Sequence, residues 1–334
     1  MKKFVSLVLA VLLTMALFAG CAQQPAEESS APAPYEAVDV RITAIAGPTG
    51  VGLVDLMRKQ QEGAAANNYV FNVVNDPQQA VAAISSNSAD IVAVPTNLAS
   101  TLYKKSGGKV QVLAVNTLGV LHILENGETV KSVQDLKGKT VYTSGQGANP
   151  EYVLKYVLEK NGIDPEKDVT IKFVPDNDTL ATLVANGTAK VAMVPEPKAT
   201  ACLMQNKGVR RALNMTDEWD KVAKDGSALM MGCVVARSAF VQEHPEAVKK
   251  FLEEYKASIT ALQSDVDMAA NLCERFKIIP KAPIAKMALP NSALTYVDGN
   301  EMKTKLSAYL TVLHTYNPDA IGGQLPADEF YYEG

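Results

Sequence analysis

The chain has 334 residues, and its 32 basic and 36 acidic side chains give a formal net charge of −4. The basic residues are dispersed rather than clustered, which argues against nucleic acid or anionic lipid as the main partner. Beyond a short apolar run near the N-terminus, no second run reaches spanning length, which excludes a channel or permease. The length is sufficient for two domains.

The first 34 residues have the order of an export signal followed by a tether. Two lysines precede an apolar stretch of about 16 residues, shorter than the roughly 20 that a spanning helix needs. Small residues then lead to Cys21, and Ala19-Gly20-Cys21 resembles the lipobox of bacterial lipoproteins. We therefore predict a signal peptide over residues 1–20, lipidation of Cys21, and a flexible tether over residues 21–34 that is too polar to fold.

A quasi-repeat at an offset of 100 residues organises the rest of the chain. Residues 75–95 read NDPQQAVAAISSNSADIVAVP, and residues 175–195 read PDNDTLATLVANGTAKVAMVP. Each copy predicts a polar turn, a short helix and an apolar strand that hands over to a loop at Pro95 or Pro195, because proline cannot continue a central strand. Apolar strands joined through helices are typical of parallel sheets. We therefore predict an α/β fold of two similar lobes with central mixed sheets.

Two apolar stretches, residues 110–124 and 228–236, are predicted to be the crossing strands that join the lobes. Lobe one is then expected at residues 35–122 plus 233–334, and lobe two at residues 123–232. The C-terminal third has the pattern of helices, which we expect to pack onto lobe one.

Each lobe opens with a strand, a glycine-rich loop and a helix. The loop of lobe one is Gly47–Gly52, and that of lobe two is Thr143–Asn149. In lobe two, Asn149 is predicted to be the N-cap and Pro150 the first residue of a helix that Gly162 closes.

Four loops follow predicted strands and form the candidate ligand site, because ligands of open α/β sheets bind beyond the carboxyl ends of the strands. If the lobes face each other, the four loops line one cleft. Glycine lets a ligand approach the backbone, and helix starts favour an anionic or strongly accepting group, although such turns are also glycine-rich for geometric reasons alone. The residues expected to contact a ligand are Pro48, Thr49, Gly50, Val51, Thr96, Asn97, Thr117, Ser144, Gly145, Gln146, Gly147, Glu196 and Met231.

Glu196 stands between two prolines just past a predicted strand. It is either a surface carboxylate or a cleft group that accepts hydrogen bonds from an amine or ring N–H of the ligand. The glycine-rich loops favour an anion and Glu196 favours a donor, so that a zwitterion or a heterocycle satisfies both. Neither glycine-rich loop has a full nucleotide-binding motif.

The sequence offers no recognisable catalytic set, metal site or cofactor site. The three histidines, His122, His244 and His314, fall in separate predicted elements, and no Cys/His/Asp spacing resembles a zinc site. Apart from Cys21 there are three isolated cysteines, Cys202, Cys233 and Cys273, which we expect to be buried apolar residues, although one disulfide pair remains open. We therefore predict a binding protein rather than an enzyme.

Several stretches resemble those of a known family. They are SVQDLKGKTV at residues 132–141 with the following Ser144-Gly145, SSNSADIVAVPTN at residues 85–97, and Glu196-Pro197. The chain is similar to two-lobed solute-binding lipoproteins of the nitrate, sulfonate, taurine and thiamine-precursor group, the SsuA/THI5-like proteins, with the type II periplasmic-binding-protein fold. The C-terminal IGGQLPADEFYY resembles an uncharacterised branch of it, and the cysteine-rich stretch of the thiamine-precursor branch is missing.

The resemblance implies a monomeric, extracytoplasmic substrate-binding protein whose cleft closes by hinge motion. It would capture a small polar solute (a sulfonate, a nitrate-like anion, a zwitterion or a heterocycle) and deliver it to the permease and ATPase of an ABC importer. It would touch the cytoplasmic membrane only through the lipid anchor, on the outer face or the periplasmic side. Two alternatives remain open: an enzyme on the same fold, such as a pyrimidine-precursor synthase, and a surface solute sensor.

Overall fold

Eleven strands form two mixed β-sheets within residues 35–334, the part of the chain that the computed structural model describes. The predicted signal peptide, Cys21 and the tether lie outside the described residues. Within residues 35–334, no helix combines the length and apolar character needed to cross a membrane.

The first sheet has six strands, which with the others are numbered in chain order. They are β1 (Asp39–Ile45), β2 (Asn68–Val74), β3 (Ile91–Pro95), β4 (Val110–Thr117), β10 (Gly232–Arg237) and β11 (Leu294–Val297). Their order across the sheet is β11-β4-β10-β3-β1-β2. Strands β2, β1 and β3 are parallel, whereas β10 is antiparallel to both β3 and β4.

The second sheet has five strands with a closely similar arrangement. They are β5 (Leu121–Asn126), β6 (Thr140–Thr143), β7 (Thr170–Phe173), β8 (Val191–Pro195) and β9 (Val209–Asn214). In the order β7-β6-β8-β5-β9, the first three are parallel and β5 is antiparallel to both of its neighbours. Three parallel strands beside an antiparallel one thus recur in both sheets.

Helices connect the strands and form most of the C-terminal third. They are α1 (Pro48–Val51), α2 (Val54–Gln61), α3 (Pro77–Ser85), α4 (Thr96–Lys105), α5 (Asn149–Lys160), α6 (Asn177–Ala185), α7 (Lys198–Gln205), α8 (Met215–Val222), α9 (Ser238–Glu243), α10 (Pro245–Ser264), α11 (Val266–Arg275), α12 (Ala282–Ala288) and α13 (Gly299–Tyr316). Short 3-10 turns occur at Val133–Leu136, Leu289–Asn291, Pro318–Ile321 and Asp328–Phe330.

The quasi-repeat corresponds to a repeated structural unit. Helices α3 and α6 begin and end at positions 100 residues apart, and so do strands β3 and β8. Asp76 accepts a hydrogen bond from the backbone N–H of Gln78, and Asp176 accepts one from that of Thr179, so that each aspartate caps its helix. The predicted fold of two similar α/β lobes with mixed sheets is confirmed.

Two local predictions at strand-to-helix turns are wrong. No loop follows Pro95, because α4 begins at Thr96 with Pro95 as its N-cap residue. In the other lobe, α5 begins one residue early, at Asn149, and Ala148 rather than Asn149 is the N-cap. The predicted closing residue of that helix is confirmed, since Gly162 follows the helix with a φ of +72°.

The predicted crossing strands are interrupted where they pass between the sheets. Residues 118–120 separate β4 of the first sheet from β5 of the second, and the predicted lobe boundary after His122 falls inside β5. The return crossing packs against the first at Gly119. A Cβ atom on that glycine would lie 2.0 Å from Thr216 Oγ1 and 2.6 Å from Leu229 Cδ2, so that only glycine fits.

Helix α13 packs between the lobes rather than on lobe one alone, which corrects the prediction for the C-terminal third. The ring of Tyr309 in α13 meets Trp219 of α8 edge-on at 5.6 Å, and Trp219 stacks on Tyr156 of α5 at 4.0 Å. Tyr316 at the end of the helix donates a hydrogen bond to Glu159. The core is therefore continuous between the two sheets along this helix.

Candidate functional site

A cleft of about 570 Å³ lies between the two sheets. Its walls are formed where β1, β3, β6 and β8 end and the following helices begin, which is the edge where ligands of open α/β sheets bind. The lining residues are Ile45, Ala46, Pro48, Thr49, Asn75, Pro77, Pro95, Asn97, Thr117, Val120, Leu121, Ser144, Gly145, Ala148, Asn149, Pro150, Pro175, Asp176, Asn177, Pro195, Glu196 and Met231.

Eight of the thirteen residues predicted from the sequence line this cleft. They are Pro48, Thr49, Asn97, Thr117, Ser144, Gly145, Glu196 and Met231. They come from both lobes and from both crossing segments. The structure thus brings together residues that are up to 183 positions apart in the sequence.

Gly50 and Val51 do not reach the cleft because they are buried in the short helix α1. A Cβ atom on Gly50 would lie 2.6 Å from the carbonyl oxygen of Ile45 and 2.8 Å from Cδ1 of Ile278. This glycine therefore serves close packing. Its neighbour Thr49 lies at the cleft, and the Thr49 carbonyl oxygen accepts a hydrogen bond from the side-chain amide of Asn116.

Three further predicted residues, Thr96, Gln146 and Gly147, also lie outside the lining. Thr96 is fully buried, and its hydroxyl donates a hydrogen bond of 2.6 Å to the carbonyl oxygen of Met230, which ties the start of α4 to the return crossing. Gln146 and Gly147 are exposed within the turn that begins at Gly145, whose φ is +74°.

The glycine-rich loop of lobe two is held to the start of α6. The hydroxyl of Ser144 donates a hydrogen bond of 2.6 Å to the side-chain oxygen of Asn177. Both residues line the cleft, so this hydrogen bond fixes the relative positions of two helix starts on the same wall.

Asn149 occupies the first position of α5 and lines the cleft. The residue is 4% exposed, and its side-chain oxygen Oδ1 is buried without a hydrogen-bond partner among residues 35–334. Because α5 has no side-chain cap, the amide of Asn149 does not serve the helix that it begins.

Glu196 is not a free acceptor at the cleft, which corrects one of the two interpretations of this residue. It is 1% exposed, and its Oε1 accepts hydrogen bonds from Nε and Nη2 of Arg211 at 3.0 and 2.5 Å. Its Oε2 accepts a hydrogen bond from the backbone N–H of Thr200. A buried carboxylate requires such a counter-charge. Because Glu196 is buried, the interpretation as a surface carboxylate is wrong as well.

His122 lies beside this ion pair, with its Nε2 3.8 Å from Oε1 of Glu196. Nε2 is also 3.1 Å from the carbonyl oxygen of Asn291, which can only accept, so Nε2 carries the proton. Burial lowers the pKa of His122 and keeps the ring neutral. His244 and His314 are partly exposed and lie outside the cleft lining.

The backbone at two helix starts contributes to the electrostatics of the cleft. Among the described lining residues, Asp176 and Glu196 are the charged ones, and none is Lys or Arg. Helices α4 and α5 start at the cleft without a side-chain cap, in contrast to α3 and α6 with their aspartates. Uncapped helix starts present N–H donors and a partial positive charge, so they suit an acceptor or an anion.

The three described cysteines, Cys202, Cys233 and Cys273, are buried and free, so none of them forms a disulfide. Burial raises the pKa of the Cys202 thiol to about 11, which keeps it protonated. Within residues 35–334, no group of three or more His, Cys, Asp or Glu side chains is arranged to hold a metal ion.

The contributions of β2 and β7 to the cleft were not predicted from the sequence. The residues that follow these strands and line it are Asn75, Pro77, Pro175, Asp176 and Asn177. Both strands run parallel to a strand that ends at the cleft, so their carboxyl ends reach the same edge. The turn of each repeat copy, at residues 75–77 and 175–177, was the signal that could have identified them.

Comparison with known sequences relates the chain to one family. A family model described as NMT1/THI5 like matches residues 69–269, more than half of the chain. A Bacillus subtilis relative with the words binding protein in its name is 28% identical over 123 residues, which are 36% of this chain and 34% of that protein. A Brucella abortus relative with the same words in its name is 25% identical over 255 residues, 76% of this chain and 73% of that protein.

Comparison with solved structures shows the same fold. The structure of an ABC transporter protein from Parabacteroides distasonis has a TM-score of 0.76 at 19% identity and covers 88% of this chain and 98% of its own. The periplasmic aliphatic sulphonate binding protein SsuA from Escherichia coli has a TM-score of 0.69 at 16% identity, with 87% and 95% covered. At these identities the likeness concerns the fold alone.

Proposed function

Because this chain belongs to the NMT1/THI5-like family, we propose that it is the extracytoplasmic solute-binding component of an ABC-type importer. It captures a small polar solute in the cleft between its lobes and hands it to the permease, which the ATPase drives. The observation that carries the proposal is the cleft itself, which residues of both sheets line at the carboxyl ends of their strands.

A solute in this cleft contacts both lobes and therefore favours the closed arrangement. Such closure is a shift between two populations, and its extent depends on the difference in affinity of the solute for the two states. Residues 118–120 and 228–231 cross between the sheets and would form the hinge of this closure, and Gly119 of the first crossing packs closely against Leu229 of the second.

The proposed solute carries an anionic or strongly accepting group. The uncapped starts of α4 and α5 supply donors for such a group from both lobes. The name of the structurally similar SsuA, an aliphatic sulphonate binding protein, supports a small sulfonate as one member of this class.

The lipid anchor completes the proposed role. Lipidation of Cys21 would hold the lobes within the length of the tether from the membrane. A tether raises the effective concentration of a binding module at its partner without any new contact. The anchored protein would thus deliver solute to the permease more often than a freely diffusing one.

Thermal shift measurements with a panel of solutes test the proposal. Nitrate, alkanesulfonates, taurine, pyrimidines and amino acids serve as probes, and a bound solute at a hundredfold excess over Kd should stabilise the fold by about 2.7 kcal/mol. The variant Asn97→Trp, which fills the cleft, should abolish the shift. The matched variant Gln146→Trp, on an exposed residue outside the cleft, should preserve it.

Stabilisation by no solute of the panel would contradict the proposal. Equal shifts in both variants would show that the solute binds elsewhere. Turnover of any probe by the wild-type protein would instead support the alternative of an enzyme on this fold.

A further inference from the structure

Asn149 is the one asparagine of the cleft wall whose buried side-chain oxygen has no partner among the described residues. Asn97 donates a hydrogen bond from its amide to the carbonyl oxygen of Ala320, and Asn177 accepts one from Ser144. Asn75 is exposed to solvent. Leaving a buried acceptor unpaired destabilises the fold, so a buried, unpaired amide at a cleft points to a group that arrives with the ligand.

The side chain of Asn149 does not cap the helix that it begins. Asparagine at a helix start usually caps the helix from the position before the first turn. Here Ala148 occupies that position, and α5 has no side-chain cap. The amide of Asn149 is therefore one residue too far along the chain to cap the helix, although it lies on the cleft wall.

The cleft offers hydrogen-bond donors at its helix starts and a hydrogen-bond acceptor at Asn149. The uncapped starts of α4 and α5 offer N–H groups to an acceptor or an anion. Oδ1 of Asn149 can only accept, so it offers its hydrogen bond to a donor. The side chains of Asp176 and Glu196 are the charged groups on the described lining, and Glu196 is already paired with Arg211.

We propose that Asn149 is a specificity-determining residue, which selects solutes that carry an O–H or N–H donor beside their anionic group. The inference rests on the proposed function and deepens it, because it divides the class of small anions by a single chemical feature. Hydroxy- and amino-substituted sulfonates, and protonated oxyanions, belong to the selected half. Their isosteres without a donor leave the amide oxygen of Asn149 desolvated and unpaired.

Two isosteric pairs of probes test the selection by isothermal titration of the wild-type chain. Isethionate, 2-hydroxyethanesulfonate, differs from 1-propanesulfonate by a hydroxyl in place of a methyl group, and hydrogencarbonate differs from nitrate by one O–H group. We expect the donor-bearing member of at least one pair to bind about tenfold more tightly than its isostere, which corresponds to the gain of one buried hydrogen bond.

Variants at Asn149 attribute the selection to this residue. Asn149→Leu, which has a similar size but no acceptor, should bring the affinity ratio of the pair close to one. Asn149→Asp keeps an acceptor but adds a negative charge, so it should weaken both members. The control Gln146→Leu changes an exposed residue outside the cleft lining, and it should leave both affinities and their ratio unchanged.

The melting temperature of Asn149→Leu separates specificity from folding. Because the buried oxygen has no partner, its replacement should leave the melting temperature equal or raise it. A drop of several degrees would show a structural role and overturn the inference. Equal binding of both members of each pair by the wild type would overturn it while leaving the proposed function intact. Failure of all four anions and of the wider solute panel to bind would overturn the proposed function and the inference together.

Discussion

The two copies of the repeat share their backbone and differ in how they use the residue after the second strand. In lobe one this residue is Thr96, whose hydroxyl binds the carbonyl oxygen of Met230. In lobe two it is Glu196, which pairs with Arg211 and accepts from the N–H of Thr200 in the first turn of α7. The N–H of Thr96 donates to the carbonyl oxygen of Met231 and no side chain caps α4, whereas the carboxylate of Glu196 accepts from the first turn of α7.

This difference shows how a duplicated unit becomes an asymmetric binding site. Lobe one presents α4 to the solute, at the end of its second repeat strand. In lobe two, Glu196 at the end of the second repeat strand is engaged in an ion pair with Arg211. The helix start without a side-chain cap is instead that of α5, which follows the glycine-rich loop. Asn149 lies at this start, and its side-chain oxygen has no hydrogen-bond partner among the described residues. One backbone plan thus supports two different electrostatic environments.

A second difference between the copies lies at the entry to the strand. Asp90 in lobe one is 2% exposed and forms ion pairs with Arg41 and Arg237, which lie on strands β1 and β10. The corresponding residue in lobe two is Lys190, which is exposed. The carboxylate of Asp90 therefore joins three strands of the first sheet, and the second sheet has no such connection at this position.

The largest expected effect comes from the position where the copies differ most. Glu196→Ala leaves the guanidinium of Arg211 without its counter-charge and should lower the free energy of unfolding by about 3 kcal/mol. Thr96→Ala loses one buried hydrogen bond and should cost about 1 kcal/mol. Urea unfolding of both variants measures the contrast, and equal losses would contradict the asymmetry between the copies.

A smaller effect is expected at Asp90 and should depend on pH. Burial raises the pKa of Asp90, but the hydrogen bonds from Arg41 and Arg237 outweigh burial and hold it below the usual value. The stability that this shift contributes is therefore present above about pH 4 and is lost as the pH falls through the lower pKa of the folded state.

Asp90→Asn should cost about 2 kcal/mol at pH 7 and should reduce the loss of stability on the acid side of pH 4. Lys190→Gln, at the matching exposed position, should change the unfolding free energy by less than about 0.5 kcal/mol. Urea titrations between pH 3 and pH 7 measure both. If the unfolding free energy of Asp90→Asn falls below pH 4 as steeply as that of the wild type, other carboxylates cause the acid dependence.

The smallest difference in stability between matching variants is expected at the aspartates that cap α3 and α6, which both copies share. Asp76→Ala and Asp176→Ala each remove a helix cap and should each lower the unfolding free energy by about 1 kcal/mol. Asp176 also lines the cleft, so its variant should additionally change solute affinity, whereas Asp76→Ala should not. A cost confined to one of the two variants would show that the repeated turns are not energetically equivalent.

The sequence predicted the elements that recur, because the same pattern of apolar residues, aspartate and proline was present twice. Strands β1, β3, β6 and β8 and helices α3 and α6 occur in the predicted order along the chain. The family resemblance and the α/β fold are confirmed as well. Strand β9, with its charged VRRALN pattern, was not recognised, since its side chains are only partly buried.

Side-chain partners across long distances were beyond the reach of the sequence. The counter-ion of Glu196 is Arg211 on the unrecognised strand β9, so the sequence alone left the carboxylate free to face a solute. Asn149 was predicted to be an N-cap because asparagine at a helix start usually is one. The helix begins one residue earlier than predicted, so that Asn149 is not the N-cap and its amide oxygen is left unpaired at the cleft.

Small-angle X-ray scattering of the wild-type chain, with and without solute, tests whether the cleft between the lobes captures a solute and closes on it. The probe is the anion of the two isosteric pairs that gives the largest thermal shift, added at a hundredfold excess over its Kd. We expect the radius of gyration to fall on binding, and we expect Asn97→Trp, which fills the cleft, to abolish the change. Binding that leaves the radius of gyration of the wild type unchanged would contradict the proposed closure.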